Sequence, residues 1–371
     1  MKSASSLDEA LAEARAATGV PGVAAGISRA GETHVAAAGE LVLGGGEPVR
    51  AATPFRIASI TKPFTATLAA RSLELDDAVC AFLGHTGDLR PESNDLLPEP
   101  CRGLWSYSNA GYWGVGSRIA EACRSSFEEA MRSRVLEPLG LAATGFDEPA
   151  GAARGHVQTG ANGQRPVPAD AYPAARRASG GLWSTAADLL RFGEHHIAEP
   201  SVLHEPRVEA LGACYALGWW VRDLGGRTAL DHEGSVAGYQ SLLLLVPEEQ
   251  LVLAVLTNSW RGSGLVRRLV AALDLAPAPV AAEPVAATAA GRYALDGVEA
   301  EIVVHGEALD VLNAETDPVT GTRVEARYRA RPLAGGVYGF AGGGLLQSHR
   351  LDFPRPGVAR VGWTALPRVE P

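Results

Sequence analysis

The chain has 371 residues, 46% hydrophobic and 20% charged, with 33 basic against 42 acidic side chains and a pI near 5.5. That length implies about two domains and a sizeable buried core, and the apolar fraction excludes a mostly disordered chain. A net charge of −9 attracts no polyanion, so nucleic acid is not an expected partner, and no apolar run reaches the ~18 residues of a membrane helix.

The opening MKSASSLDEALAEARAATG shows no apolar h-region and no cleavage signature, so no secretory signal is read and a cytoplasmic location is expected. Leu7, Ala10, Leu11 and Ala14 fall at helical spacing within residues 7–17. Residues 20–28 and 33–40 read as two strands around the turn Arg29–Ala30–Gly31. A helix is expected from about Ser59, with Pro63 tolerated in its first turn. Residues 109–136 read as two helices broken near Ser125–Ser126, and 146–180 as loop. Thr185–His195 is a further helix, capped by Ser184 or Thr185. Strands are expected at 217–222, 240–246 and 251–257, followed by a helix at 264–273. Strands at both ends with helices between them predict a sheet built from both ends of residues 1–275, with a helical insertion at about 60–200. Residues 276–290, rich in Ala and Pro, read as a linker. Residues 291–371 read as a small antiparallel β domain without a chemical constellation of its own.

Cys80, Cys101, Cys123 and Cys214 form no CxxC and no His-flanked metal pattern; they read as free thiols, with a Cys80–Cys101 bridge left open. The nine histidines are scattered, and His195 and His196 point to different sides of a helix, so no zinc site is read. Lysine is the informative residue. There are two, Lys2 and Lys62, against 31 arginines. Arginine stays protonated, whereas a buried lysine can lose its proton and act as a base. A chain that otherwise avoids lysine marks Lys62 for proton transfer.

Lys62 closes the run Ser59-Ile60-Thr61-Lys62 at a helix start, where positions i and i+3 share a face. An amine there can reach the serine hydroxyl. Tyr107-Ser108-Asn109 offers a phenol to move a proton and an amide to hold a carbonyl, or equally a helix cap. His232-Glu233-Gly234-Ser235, ahead of the strand at 240–246, offers an imidazole over the cleft and a close backbone approach, or equally a hairpin turn. Each match alone favours the ordinary structural reading. Their order and their flanks do not.

Together they resemble the serine β-lactamase and penicillin-binding-protein superfamily, in its class C-like branch with family VIII esterases, D-aminopeptidases and acyltransferases. The matching text includes PFRIASITKPFTA, WSYSNAGYWGVGSRIAEA, SGGLWSTAADLLRFG and DHEGSVAGYQSLLLLVPEEQLVLAVLTNS, over most of residues 8–273. The resemblance implies an α+β catalytic domain, an antiparallel sheet flanked by helices, and a lipocalin-like C-terminal β domain. It implies Ser59 as acyl-accepting nucleophile, Lys62 as its base, Tyr107 as proton relay, Asn109 as substrate contact, and His232 and Gly234 as the third motif. The N–H groups of Ser59 and Ser235 would form the oxyanion hole. No metal or organic cofactor is implied. The expected partner is a small ester or amide, including D-amino-acid amides or peptides, with water or an amine or alcohol accepting the acyl group. A β-lactamase or D-Ala-D-Ala carboxypeptidase, and a binding module without activity, are the other readings.

Two departures bear on substrate. The third motif carries His232 where many relatives have a lysine that helps to bind a substrate carboxylate. Tyr107 follows Ser59 by only 48 positions, which is short for this branch and predicts an open cleft, with a reshaped closed pocket as the alternative.

Overall fold

A computed structural model describes residues 5–159, 163–168, 172–236, 238–276, 289–316, 323–333, 336–340 and 350–369. In chain order the first part comprises α1 (Ser5–Thr18), β1 (Gly22–Arg29), β2 (Glu32–Gly39), β3 (Phe55–Arg56), α2 (Thr61–Ser72), α3 (Asp77–Leu83), α4 (Asn109–Cys123), α5 (Phe127–Met131), β4 (His156–Thr159) and β5 (Gly163–Pro166). It continues with α6 (Arg177–Gly180), β6 (Trp183–Ser184), α7 (Ala186–Ala198), β7 (Val208–Ala210), β8 (Ala213–Tyr215), β9 (Trp220–Asp223), β10 (Thr228–Val236), β11 (Tyr239–Val246), β12 (Leu251–Thr257) and α8 (Gly262–Ala272). The second part comprises β13 (Gly291–Leu295), β14 (Val298–His305), β15 (Ala308–Thr316), β16 (Arg323–Pro332), β17 (Val337–Phe340), β18 (Arg350–Arg355), β19 (Val358–Val361) and β20 (Thr364–Val369).

An antiparallel sheet in the order β2-β1-β12-β11-β10-β9-β8-β7 organises the first part. β1, from one end, pairs with β12, from the other, from Val23↔Thr257 to Arg29↔Leu251. The sheet is covered on both faces, which is why β11 and β12 are almost uninterrupted apolar runs. Their side chains alternate by face. Leu243, Leu245, Val252, Ala254 and Leu256 join the helical side with Phe64, Leu189 and Phe192. Leu242, Leu244, Leu251, Leu253 and Val255 join Leu7 and Leu11 of α1 and Leu265 and Leu269 of α8. Turning at Ala30 (φ 50°) and Gly31 (φ 86°) lets β2 fold back on β1 in the turn geometry that hairpin twist favours. Among the described residues, no helix is long and apolar enough to cross a membrane.

The expected mixed α+β class, with a sheet from both ends and a helical insertion, is what the chain forms. The second part closes into an eight-stranded barrel, with β13 pairing β20. Local readings differ in two places, β10 and the stretch 146–180, and two alternatives that the sequence left open, the α7 cap and the Cys80–Cys101 pairing, are settled. β10 is a nine-residue strand, not a turn ahead of 240–246, and β7 and β8 extend the sheet beyond it. The stretch 146–180 holds the hairpin β4–β5 and the short α6 within its loop. Of Ser184 and Thr185, Thr185 caps α7, accepting from the Asp188 N–H. All four cysteines are free. The expected linker falls largely on residues 277–288, outside the described residues.

The barrel packs against the helical insertion around residues 97–107. Leu97 and Cys101 belong to the barrel's core. Arg90 pairs with Asp296, and the Leu211 N–H donates to Asp352 Oδ2 at 3.2 Å. Three successive residues are held in turn. The Arg360 guanidinium donates to Trp105 O (3.3 Å), the Ala365 N–H to Ser106 Oγ (3.2 Å), and the Tyr107 N–H to Trp363 O (2.8 Å).

Candidate active site

Ser59 sits in a single 3-10 turn, Ala58–Ile60, that runs directly into α2. Ala58 has φ 48°, a left-handed conformation that costs a residue with a Cβ roughly 1–2 kcal/mol. The surroundings impose it: the Ile57 N–H donates to Leu182 O, and Ser241 Oγ donates to Ile57 O at 3.1 Å. From Thr61 to Ala69 every residue of α2 is buried, so this helix is central rather than amphipathic. Lys62 lies one turn after Ser59 on the same face and is 0% exposed. Its Nζ is 3.2 Å from Ser59 Oγ, 2.7 Å from Asn109 Oδ1 and 2.8 Å from Ser179 O.

Burial drives the Lys62 amine well below its ordinary pKa, and the Glu92 carboxylate pulls the other way. Glu92 reaches the amine through Asn109, whose Nδ2 donates to Glu92 Oε1 at 2.5 Å. The faces of Tyr107 and Tyr112, with centroids 4.6 and 5.2 Å from Nζ, also favour an ammonium. Desolvation is the largest of these influences, and it shifts the balance toward the neutral amine.

Asn109 opens α4, and Ser108 caps it, accepting from the Gly111 N–H at 3.2 Å. Ser108 therefore supplies the cap the sequence offered, while the Asn109 amide engages Lys62 and Glu92. Tyr107, immediately before the cap, is 5% exposed. Its ring packs on His85 (centroids 4.2 Å) and on Trp363 of the barrel (5.0 Å). Burial raises the phenol well above its ordinary pKa, with the Ser59 hydroxyl beside it acting in the opposite sense. Apart from the Ser59 hydroxyl beside it, no described group engages this buried hydroxyl.

β10 brings the third motif to the same place. Gly234 abuts the Ser59 turn so closely that a Cβ would lie 2.1 Å from Ile57 O. Ser235 follows at the exposed end of β10, its Oγ accepting from Gln240 Nε2 at 2.7 Å. His232 is 1% exposed rather than open to the cleft. Its Nδ1 lies 2.7 Å from Glu233 O, and a carbonyl only accepts, so Nδ1 carries the proton. Nε2 then accepts from the Tyr215 hydroxyl at 3.2 Å. Burial, reinforced by Lys62, lowers the imidazole to about 3, so it is neutral.

The structure thus brings Ser59, Lys62, Tyr107, Asn109 and Gly234 together, with His232 one layer behind through Tyr215. It adds residues the sequence reading passed over. Ser179, whose carbonyl accepts from Lys62, opens the SGGLW segment quoted above. His85, at φ 59°, accepts from the Ser108 N–H through Nδ1 at 3.1 Å. Glu92 and Trp363 carry no local pattern that sets them apart. Beside Tyr107, which follows Ser59 so closely in sequence, stands Trp363 of the barrel, with ring centroids 5.0 Å apart. Among the described residues, no group of three His, Cys, Asp or Glu is arranged to hold a metal ion.

A sheet from both ends, a helical insertion and Ser-x-x-Lys at the head of its central helix together define the serine β-lactamase and penicillin-binding-protein class of fold. A profile of the Beta-lactamase family matches residues 7–91 and 97–276, and the chain belongs to that family of serine hydrolases. Penicillin-binding protein 4 of Amycolatopsis lactamdurans is 27% identical over 309 residues, covering 64% of this chain and 81% of that protein. The crystal structure of SurE is similar over 99% of both chains, with a TM-score of 0.74 and 22% identity. D-amino acid amidase from Ochrobactrum anthropi SV3 is similar over 72% of this chain and 97% of its own, with a TM-score of 0.60 and 21% identity.

Proposed function

We propose that the protein is a serine acyl-enzyme hydrolase that opens an amide or ester of a D-amino-acid residue, free or at the end of a peptide. One observation carries the reading: the bonding around Lys62. A neutral amine has two hydrogens and one lone pair. The carbonyl oxygens of Asn109 and Ser179 take the hydrogens, which leaves the lone pair for the Ser59 hydroxyl. Burial shifts the balance toward that neutral form. Ser59 then loses its proton to Lys62 as its oxygen bonds to the substrate carbonyl. The N–H groups of Ser59 and Ser235 hold the oxyanion. Tyr107 hands its proton to the leaving group and regains one from the Lys62 ammonium. Water then releases the acyl group.

The substrate class is supported by the similarity to a D-amino acid amidase and to a SurE structure solved with D-Leu. The third motif has His232 in place of a lysine, and this imidazole is neutral and engaged with Tyr215, so it offers no charge to a β-lactam carboxylate. The test is intact-protein mass after brief mixing with the p-nitroanilides of D- and L-leucine, with and without a primary amine. A leucyl adduct formed faster from the D form, and absent in Ser59→Ala, is expected. Amide formed with the amine would make acyl transfer the working reaction. A wild-type enzyme that behaves as Ser59→Ala overturns the reading.

A further inference from the structure

We propose that the barrel is part of the catalytic centre, with Trp363 as a positioning residue that sets the Tyr107 phenol for proton donation to the leaving group. Among the described residues, only the Ser59 hydroxyl stands beside the Tyr107 hydroxyl, so the position of the ring rests largely on packing and on its backbone. The barrel supplies a share of each. The Trp363 indole stacks on the phenol ring at 5.0 Å with an interplanar angle of 27°, and its carbonyl accepts the Tyr107 N–H at 2.8 Å. Arg360 and Ala365 fix the two residues before Tyr107 from the same barrel hairpin, β19–β20. Within the helical insertion, His85 packs on the ring at 4.2 Å, and its carbonyl accepts the Ser106 N–H at 3.0 Å. Tyr107 is thereby clamped between two parts of the molecule that fold around separate cores.

The inference rests on the acyl-enzyme reading above, and its signature is leaving-group dependence. When the bond from the acyl carbon to an amine nitrogen breaks, that nitrogen must take a proton, which comes from Tyr107; the phenoxide recovers one from Lys62. A p-nitrophenolate departs as the anion and needs no proton. A misplaced phenol therefore slows amides and spares activated esters.

The experiment compares acylation of wild type, Trp363→Ala and Trp363→Phe by D-leucine p-nitrophenyl ester and by D-leucine amide. Trp363→Ala should lose about 10- to 100-fold on the amide, a partial loss that reaches only the lower end of what general-acid catalysis contributes, and less than about threefold on the ester. Trp363→Phe, which keeps an aromatic face, should recover most of the amide rate. In a Tyr107→Phe background, Trp363→Ala should cost nothing further on the amide, because it acts through the missing hydroxyl. Equal losses on both substrates, or full additivity with Tyr107→Phe, would overturn the proposal and make Trp363 a structural contact. A readout independent of activity separates this failure from failure of the enzymatic reading. In protein carrying 3-fluorotyrosine, the Tyr107 fluorine resonance, assigned by its loss in Tyr107→Phe, should shift in Trp363→Ala. An unmoved resonance overturns the clamp, whatever the enzyme turns over.

Discussion

Asn109 Oδ1, Ser179 O and Ser59 Oγ surround the Lys62 amine, and they are matched to two hydrogens and one lone pair. A guanidinium has no lone pair to offer at working pH. Lys62→Arg should therefore lose acylation as completely as Lys62→Ala, by at least about 1,000-fold, measured as the rate of adduct formation on Ser59. An Arg variant at wild-type rate would leave Lys62 an electrostatic role only. The acid limb of the rate profile belongs to Lys62, because the rate needs its unprotonated form. Glu92 raises the Lys62 pKa. Glu92→Gln should consequently move the acid limb of kcat/KM to lower pH; a limb that stays in place would detach Lys62 from it. At this scale the sequence was most legible in Lys62, which stood out by composition alone. Glu92 was invisible because it acts through Asn109, a contact that exists only once the segment 84–108 has folded over α2.

The turn Ala58–Ile60 and strand β10 form one unit, joined where the two backbones come closest. Gly234 permits that approach: a Cβ would lie 2.1 Å from Ile57 O and 2.2 Å from Ser241 Oγ. Gly234→Ala must push β10 away or displace the Ser59 turn, at a cost of about 1–3 kcal/mol for overpacking a tight site. Thermal unfolding should shift down by several degrees. Adduct formation in the folded variant should fall further than stability alone explains, since Ser59 moves with the turn. Unchanged melting and unchanged acylation would show that the strand accommodates the methyl group. Helix α1 was legible from its period, α7 from its cap and α2 from its run of helix formers, whereas β1 and β2 were legible from the turn between them and β11 and β12 from their apolar runs. β10 was not, because TALDHEGSV places Asp231, His232 and Glu233 in its buried middle. Those residues read as turn chemistry until their partners are known. Asp231 is held by Arg222 of β9, on the strand expected at 217–222, and His232 by Tyr215 of β8, a three-residue strand too short to announce itself.

Across the whole molecule, buried neutral histidines tie stability to pH. Burial lowers His85 and His196 well below the ordinary value, His204 to about 4 and His232 to about 3. In the unfolded chain each titrates near 6.5. Between these values the unfolded state binds more protons than the folded one, so stability rises with pH across the window and is lost as pH falls below 6.5. The urea midpoint should drop between pH 6.5 and 5, before most carboxylates titrate; a constant midpoint would mean these imidazoles reach water in the native state. The sequence also showed two parts and an antiparallel second one. It could not show that the second part stands over Tyr107. Trp363 lies in an ordinary hairpin turn, and what distinguishes it is the neighbour it meets after both parts have folded.

The scarcity of lysine has a practical corollary. With Lys62 wholly enclosed, the folded body presents no side-chain amine to a solvent-borne acylating reagent. Lys2 is the other side-chain amine, in the terminal segment. In Ser59→Ala, where the serine cannot take the acyl group first, slow acetylation of Lys62 by a bulky amine-reactive ester would then register excursions that uncover the centre of the molecule, in the way amide exchange registers the opening of a hydrogen bond. The chain carries a chemical clock for its own breathing, set at the residue on which its chemistry depends.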